Sequence, residues 1–104
     1  MKPEDANSPK DRWATHTILI DGQKKGGPSP NGEGWSLAVG TWDREPVLAI
    51  RWDGDNGSAG TPQSRGCGVW FILPSEACQM IDHVPDKRLR EFAKTFLKIE
   101  RKAA

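Results

Sequence analysis

The apolar positions of the chain fall into four short runs and one longer stretch with a different spacing. The runs are WATHTILI (Trp13 to Ile20), WSLAVGTW (Trp35 to Trp42), VLAIRWD (Val47 to Asp53) and CGVWFIL (Cys67 to Leu73). Each is rich in β-branched and aromatic residues, which favour a pleated, half-buried surface, so four strands are predicted. Between them lie DGQKKGGPSPNGEG (21–34) and DGDNGSAGTPQSRG (53–66), dense in Gly, Pro and polar residues and read as long loops. After Leu73, Pro74-Ser75 opens a short helix, SEACQMID, with Ser75 as its N-cap. His83-Val84-Pro85 interrupts it. From Asp86, a good N-cap, Leu89, Phe92, Ala93, Phe96 and Leu97 recur at helical spacing and form one stripe. Residues 1–12 show no periodicity and mixed charge, and are expected to form a disordered arm. The expected organisation is one α+β domain over 13–102, in the order β-β-β-β-α.

Alternation sorts the side chains of the central hairpin. With Arg44 and Glu45 at its turn, Asp43 stands opposite Pro46. Trp35, Leu37, Val39 and Thr41 then share a face with Leu48, Ile50 and Trp52. This first face is large and apolar, and is expected to pack on the helix with Trp52 in the core. The second face carries Ser36, Ala38, Gly40 and Trp42 with Val47, Ala49, Arg51 and Asp53. In the fourth run, Val69, Phe71 and Leu73 make the better core set, leaving Gly68, Trp70 and Ile72 on the second face. An indole and a guanidinium standing outward over Gly and Ala would make that face a binding surface.

Charge adds a little. The whole chain carries a net +1, but residues 13–85 hold five basic and eight acidic groups, and residues 86–104 hold seven basic and three acidic ones. The basic part is therefore the C-terminal helix. No apolar run approaches the ~18 residues needed to span a bilayer, and MKPEDANSPKDR lacks the apolar centre of a signal peptide. A cytoplasmic protein without membrane contact is expected. Cys67 and Cys78 have neither a CxxC spacing nor a nearby histidine pair, so both are read as reduced thiols and no metal site is expected.

The chemistry of catalysis is missing from the pattern. His16 lies in a strand and His83 at a helix break, and no GxSxG, HExxH or Walker loop occurs. The GDNG of the second loop lacks the regular Asp spacing and terminal Glu of a calcium loop and is read as a turn. The reading is a binding protein, not an enzyme, with no cofactor.

GWSLAVGTW, VLAIRWDGD, the Gly-rich loop and RGCGVWFILPSEA running into a helix resemble the PC4-like family of single-stranded DNA-binding transcriptional coactivators. The likeness is greatest to its small bacterial YdbC-type branch. In that family a strand with an apolar-Ile-Arg triplet precedes a loop, and a strand ending in Leu leads into the helix. Here these are Ala49-Ile50-Arg51 and Ile72-Leu73 before Pro74. The resemblance spans Trp35 to Ile81. It implies a strongly curved four-stranded antiparallel sheet followed by a helix, paired as a homodimer. It also implies binding of unpaired DNA or RNA with little sequence preference, in a transcription or DNA-maintenance role.

Carried over residue by residue, the expected nucleic-acid contacts are Trp42, Arg51 and Trp70 on the strands, Lys24, Lys25 and Arg65 on the loops, and Arg44 at the turn. Aromatic rings would stack on bases and the cations would neutralise phosphates. The strand region is net acidic, where the family presents a more basic face. The second function class is a homo-oligomeric protein-interaction module with Trp42 and Trp70 buried between subunits.

Overall fold

The structure, a computed structural model, describes residues 2–22, 34–54 and 60–97. Strands β1 (Trp13–Ile20), β2 (Trp35–Trp42) and β3 (Glu45–Trp52) pair antiparallel in chain order. A short ribbon follows, β4 (Gln63–Ser64) with β5 (Cys67–Gly68), and then β6 (Phe71–Leu73) returns to pair with β3. The main sheet therefore runs β1-β2-β3-β6. A 3-10 segment (Ser75–His83) and one helix, α1 (Lys87–Phe96), complete the chain. The molecule is α+β with a four-stranded antiparallel sheet and a C-terminal helix, as the pattern of runs predicts. No helix among the described residues is long and apolar enough to cross a membrane.

The β2–β3 hairpin turns one residue earlier than the alternation argument placed it. Asp43 and Arg44 have φ of 50° and 71°, and Trp42 pairs with Glu45. Two successive positive φ values make the tight turn whose twist matches that of antiparallel strands. A shift of one at the turn moves the register by two, so the faces keep their members: Leu37 opposes Ile50, Val39 opposes Leu48, and Ser36 opposes Arg51.

Both faces are covered, which the sequence reading did not foresee. The first face carries the larger core: Leu19, Ile20, Leu37, Val39 and Leu48 beneath Ile81, Val84 and Ala93. Two irregularities in β1, after Thr15 and after Ile18, let Leu19 and Ile20 join the same core although they are adjacent in sequence. The first also brings His16 against the helix, where its ring stacks on Phe92 at 5.3 Å.

The second face carries another core. Trp13, Ala38, Ala49 and Trp70 pack there with Ala6, and Pro3 is buried as well. The N-terminal residues expected to be disordered form a 3-10 turn, Pro3–Asp5, and lie over this face. Ser8 bridges Val69, and the Trp70 indole N–H donates to the carbonyl oxygen of Ala6 at 2.5 Å. Gly40 makes room for the cover: a Cβ there would stand 2.7 Å from the Trp13 ring and 2.4 Å from the Ala14 carbonyl oxygen.

Asp86 caps α1 as expected, accepting from the amides of Arg88 (2.8 Å) and Leu89 (3.3 Å). Ser75 does not cap the preceding segment. Pro74 occupies the cap position, and the Ser75 hydroxyl donates to Glu76 instead.

Candidate functional site: an aromatic cleft at one end of the sheet

The residues expected to grip a ligand are not brought together. Arg51 is 2% exposed and Trp70 3%, both sealed in the second face. Trp42 is half-buried against the same core. Arg44 is exposed at the β2–β3 turn, beside Lys10 and Arg12 in a shallow depression of about 300 Å³. Arg65 is exposed at the tip of the β4–β5 ribbon, with φ of 51° beside Gly66 at 80°. That is a second tight turn, inside a stretch read as irregular loop. Lys24 and Lys25 lie outside the described residues. The platform of Trp42, Arg51 and Trp70 does not stand open. The N-terminal segment lies over Trp70, whose ring packs on Trp13 at 5.8 Å, and Arg51 is enclosed beside Asp53 with its fork on the carbonyls of Val69 and Trp52.

The open aromatic surface lies on the other face, at the end away from the β2–β3 turn. Trp35 and Trp52 are directly opposed in register, and Ile50 opposes Phe71 on the neighbouring strand. Trp52 and Phe71 are each 58% exposed. With Met80 and Pro62 they line a cleft of about 560 Å³. Trp52 and Phe71 were expected in the core, and their parity was right. The cover is too short to reach them: ten helical residues rise ~15 Å, against ~26 Å for eight residues in a strand. Met80, from the 3-10 segment, forms one wall of the cleft instead. The sequence signal that marks Trp52 is its place at the strand end, next to Asp53-Gly54, beyond the span that one short helix can shield.

Beneath this end, on the second face, lies a buried polar network. Ser36 Oγ donates to Asp53 Oδ2 at 2.6 Å and accepts from the Gly22 amide at 3.0 Å. Arg51 Nε stands 3.7 Å from Asp53 Oδ1, with neither side chain exposed. Arg51 Nη1 donates to the Val69 carbonyl oxygen at 2.8 Å, and Nη2 to that of Trp52 at 3.3 Å. Burial pushes the Asp53 carboxyl above its ordinary pKa, opposed by the Ser36 hydrogen bond and the Arg51 charge. Burial likewise pushes the Arg51 guanidinium down, opposed by Asp53. Gly60 is the close neighbour that space requires. Its φ is +69°, and a Cβ there would meet the Trp52 carbonyl oxygen at 2.1 Å.

Trp52 is thus pinned from several sides. Its amide and carbonyl both pair with Thr61, at 2.8 and 2.9 Å, and the next amide, of Asp53, donates to the Gly34 carbonyl oxygen. An exposed ring on a fixed backbone is suited to stacking on a flat partner, because little motion is lost on binding.

Among the described residues no three His, Cys, Asp or Glu side chains cluster as a metal site requires. The fold and cleft define a class: a small α+β protein whose sheet offers aromatic rings to solvent at one end. Comparison with protein-family models, curated proteins and solved structures gives no match to this chain.

Proposed function

We propose that the protein binds unpaired nucleic acid with little sequence preference, through the cleft of Trp35, Trp52 and Phe71. The observation that carries this reading is the exposure of Trp52 and Phe71 about an open cleft, their backbones held in one sheet. Each base–aromatic stack contributes roughly 1–3 kcal/mol whatever the base. The resemblance of residues 35–81 to the PC4-like family supports the same ligand class. Arg65, on the ribbon that continues from the Pro62 wall, and Lys24 and Lys25, in the segment entering Trp35, would neutralise phosphates. Arg44 plays no part, because it stands at the opposite end of the hairpin.

One observation favours a second reading, self-association through the same cleft. The large exposed side chains there, Trp52 and Phe71, are apolar, with half-buried Pro62 and Met80 beside them. A homodimer would bury them.

Titrating a short oligothymidylate while following tryptophan fluorescence tests the two. Quenching at low salt that disappears at high salt, and is lost in Trp52→Ala, supports base stacking. A concentration-dependent dimer that persists at high salt and takes up no oligonucleotide overturns it in favour of self-association.

A further inference from the structure

Arg51 occupies a break in the sheet. The β3–β6 ladder pairs Leu48 with Leu73 and Ile50 with Phe71, and there it ends. In the same register the next places would set Arg51 against Trp70 and Trp52 against Val69. Trp52 instead takes Thr61 as its partner, and the chain before Phe71 runs off with Pro62, whose carbonyl oxygen accepts from the Val69 amide at 3.1 Å. The cleft opens at this divergence, with Trp52 on one wall and Phe71 on the other.

The Arg51 guanidinium spans the gap. One terminal nitrogen holds the carbonyl oxygen of Trp52, and the other holds that of Val69, two residues before Phe71. A planar fork of fixed geometry can bond two carbonyls at once, which an ammonium does poorly. Asp53 stands behind the fork, its Oδ1 3.7 Å from Nε, and is held in turn by Ser36, which also ties in the Gly22 amide.

We propose that Arg51 is the positioning residue of the cleft, a staple between two diverging strands that sets the separation of the Trp52 and Phe71 rings. It lines the floor of the cleft with its side chain enclosed. The proposal rests on the reading that the cleft takes unpaired bases, and it assigns the arginine of the Ala49-Ile50-Arg51 triplet to shaping that site from below.

The test uses the full chain and two variants. Arg51→Lys keeps a charge beside Asp53 and gives up the fork. Arg51→Met combined with Asp53→Leu removes both charges together and retains bulk, which guards against simple unfolding. Oligothymidylate affinity and amide hydrogen exchange are measured for each. The expected result is a roughly tenfold loss of affinity in both variants, with the Trp52 amide exchanging faster while those of Leu48 and Ala49 keep their rates. A purely structural role would speed all three alike. Variants that bind as the wild type does overturn the staple and leave base binding standing. A wild type that takes up no oligonucleotide overturns base binding. In that case faster exchange confined to Trp52 in Arg51→Lys still supports the staple, and unchanged exchange there overturns it.

Discussion

The indole of Trp70 reaches across the second face of the sheet to the carbonyl oxygen of Ala6, joining the approach to the last strand to the first residues of the chain. Those first residues are therefore part of the fold. Removing residues 2–8 would uncover Trp13, Trp70, Ala38 and Ala49. Exposing two such rings costs about 2–4 kcal/mol. A lower urea midpoint and a red shift of tryptophan emission in the folded baseline are the expected results. Trp70→Phe keeps the packing but leaves the Ala6 carbonyl without its donor, at about 1–2 kcal/mol.

Arg51 and Asp53 form a fully enclosed ion pair, so the two single deletions should be unequal to the double one. Arg51→Ala leaves a carboxylate buried without its cation and should cost about 3–5 kcal/mol. Replacing both partners with apolar residues of similar bulk should cost much less. Urea unfolding of the two singles and the double gives the coupling directly.

The pH dependence of stability follows from Asp53. Burial raises its folded pKa above the unfolded value, so the folded chain holds this proton more tightly. The group's contribution is fully present below the unfolded pKa and is lost as pH rises through the raised folded pKa. Unfolding free energy measured as pH rises from about 4, the ordinary value of an aspartate, should carry this falling component. Asp53→Asn, which cannot titrate, should lack it.

Trp52 and Phe71 should separate stability from binding. Both are mostly exposed, so Trp52→Ala and Phe71→Ala should each change stability by about 0.5 kcal/mol or less. Each should weaken oligonucleotide binding by about tenfold to a hundredfold, equivalent to one lost stack. Equal affinity with unchanged melting would remove the cleft from the binding site.

Asp86→Ala removes the acceptor for two amides at the start of α1. A loss of about 1 kcal/mol is expected, with reduced helical ellipticity.

Much of this architecture was legible in the residues. Three runs became strands of the main sheet, and the fourth gave it only Phe71–Leu73, its Cys67-Gly68 turning instead to the β4–β5 ribbon. The side-chain parity of the hairpin held through a shifted turn, because moving a two-residue turn by one place preserves which residues share a face. The stripe of Leu89, Phe92, Ala93, Phe96 and Leu97 became a helix with the expected cap. What alternation cannot report is what lies on top of a face. Trp70 and Trp52 were assigned to opposite sides correctly and to burial in reverse, because a polar N-terminal segment covers one side and a ten-residue helix leaves the other uncovered at its end. Arg51 looked like a ligand contact because arginines seldom lie wholly inside. Its enclosure depends on Asp53, two residues on, and on Ser36, its partner across the ladder. The β4–β5 ribbon escaped notice because Gln63-Ser64 lie in a glycine-rich stretch with no run to read, and Cys67-Gly68 read as the start of the fourth strand.

That ribbon also offers a chemical handle. Cys67 is a free, exposed thiol beside the Arg65-Gly66 turn, and a Cβ added at Gly66 would meet no atom within 4 Å. Cys78 is the more shielded of the two sulfurs. A maleimide dye should therefore react first at Cys67, hanging from the arm that begins at Pro62, and its emission would report occupancy of the neighbouring groove without altering any ring that lines it.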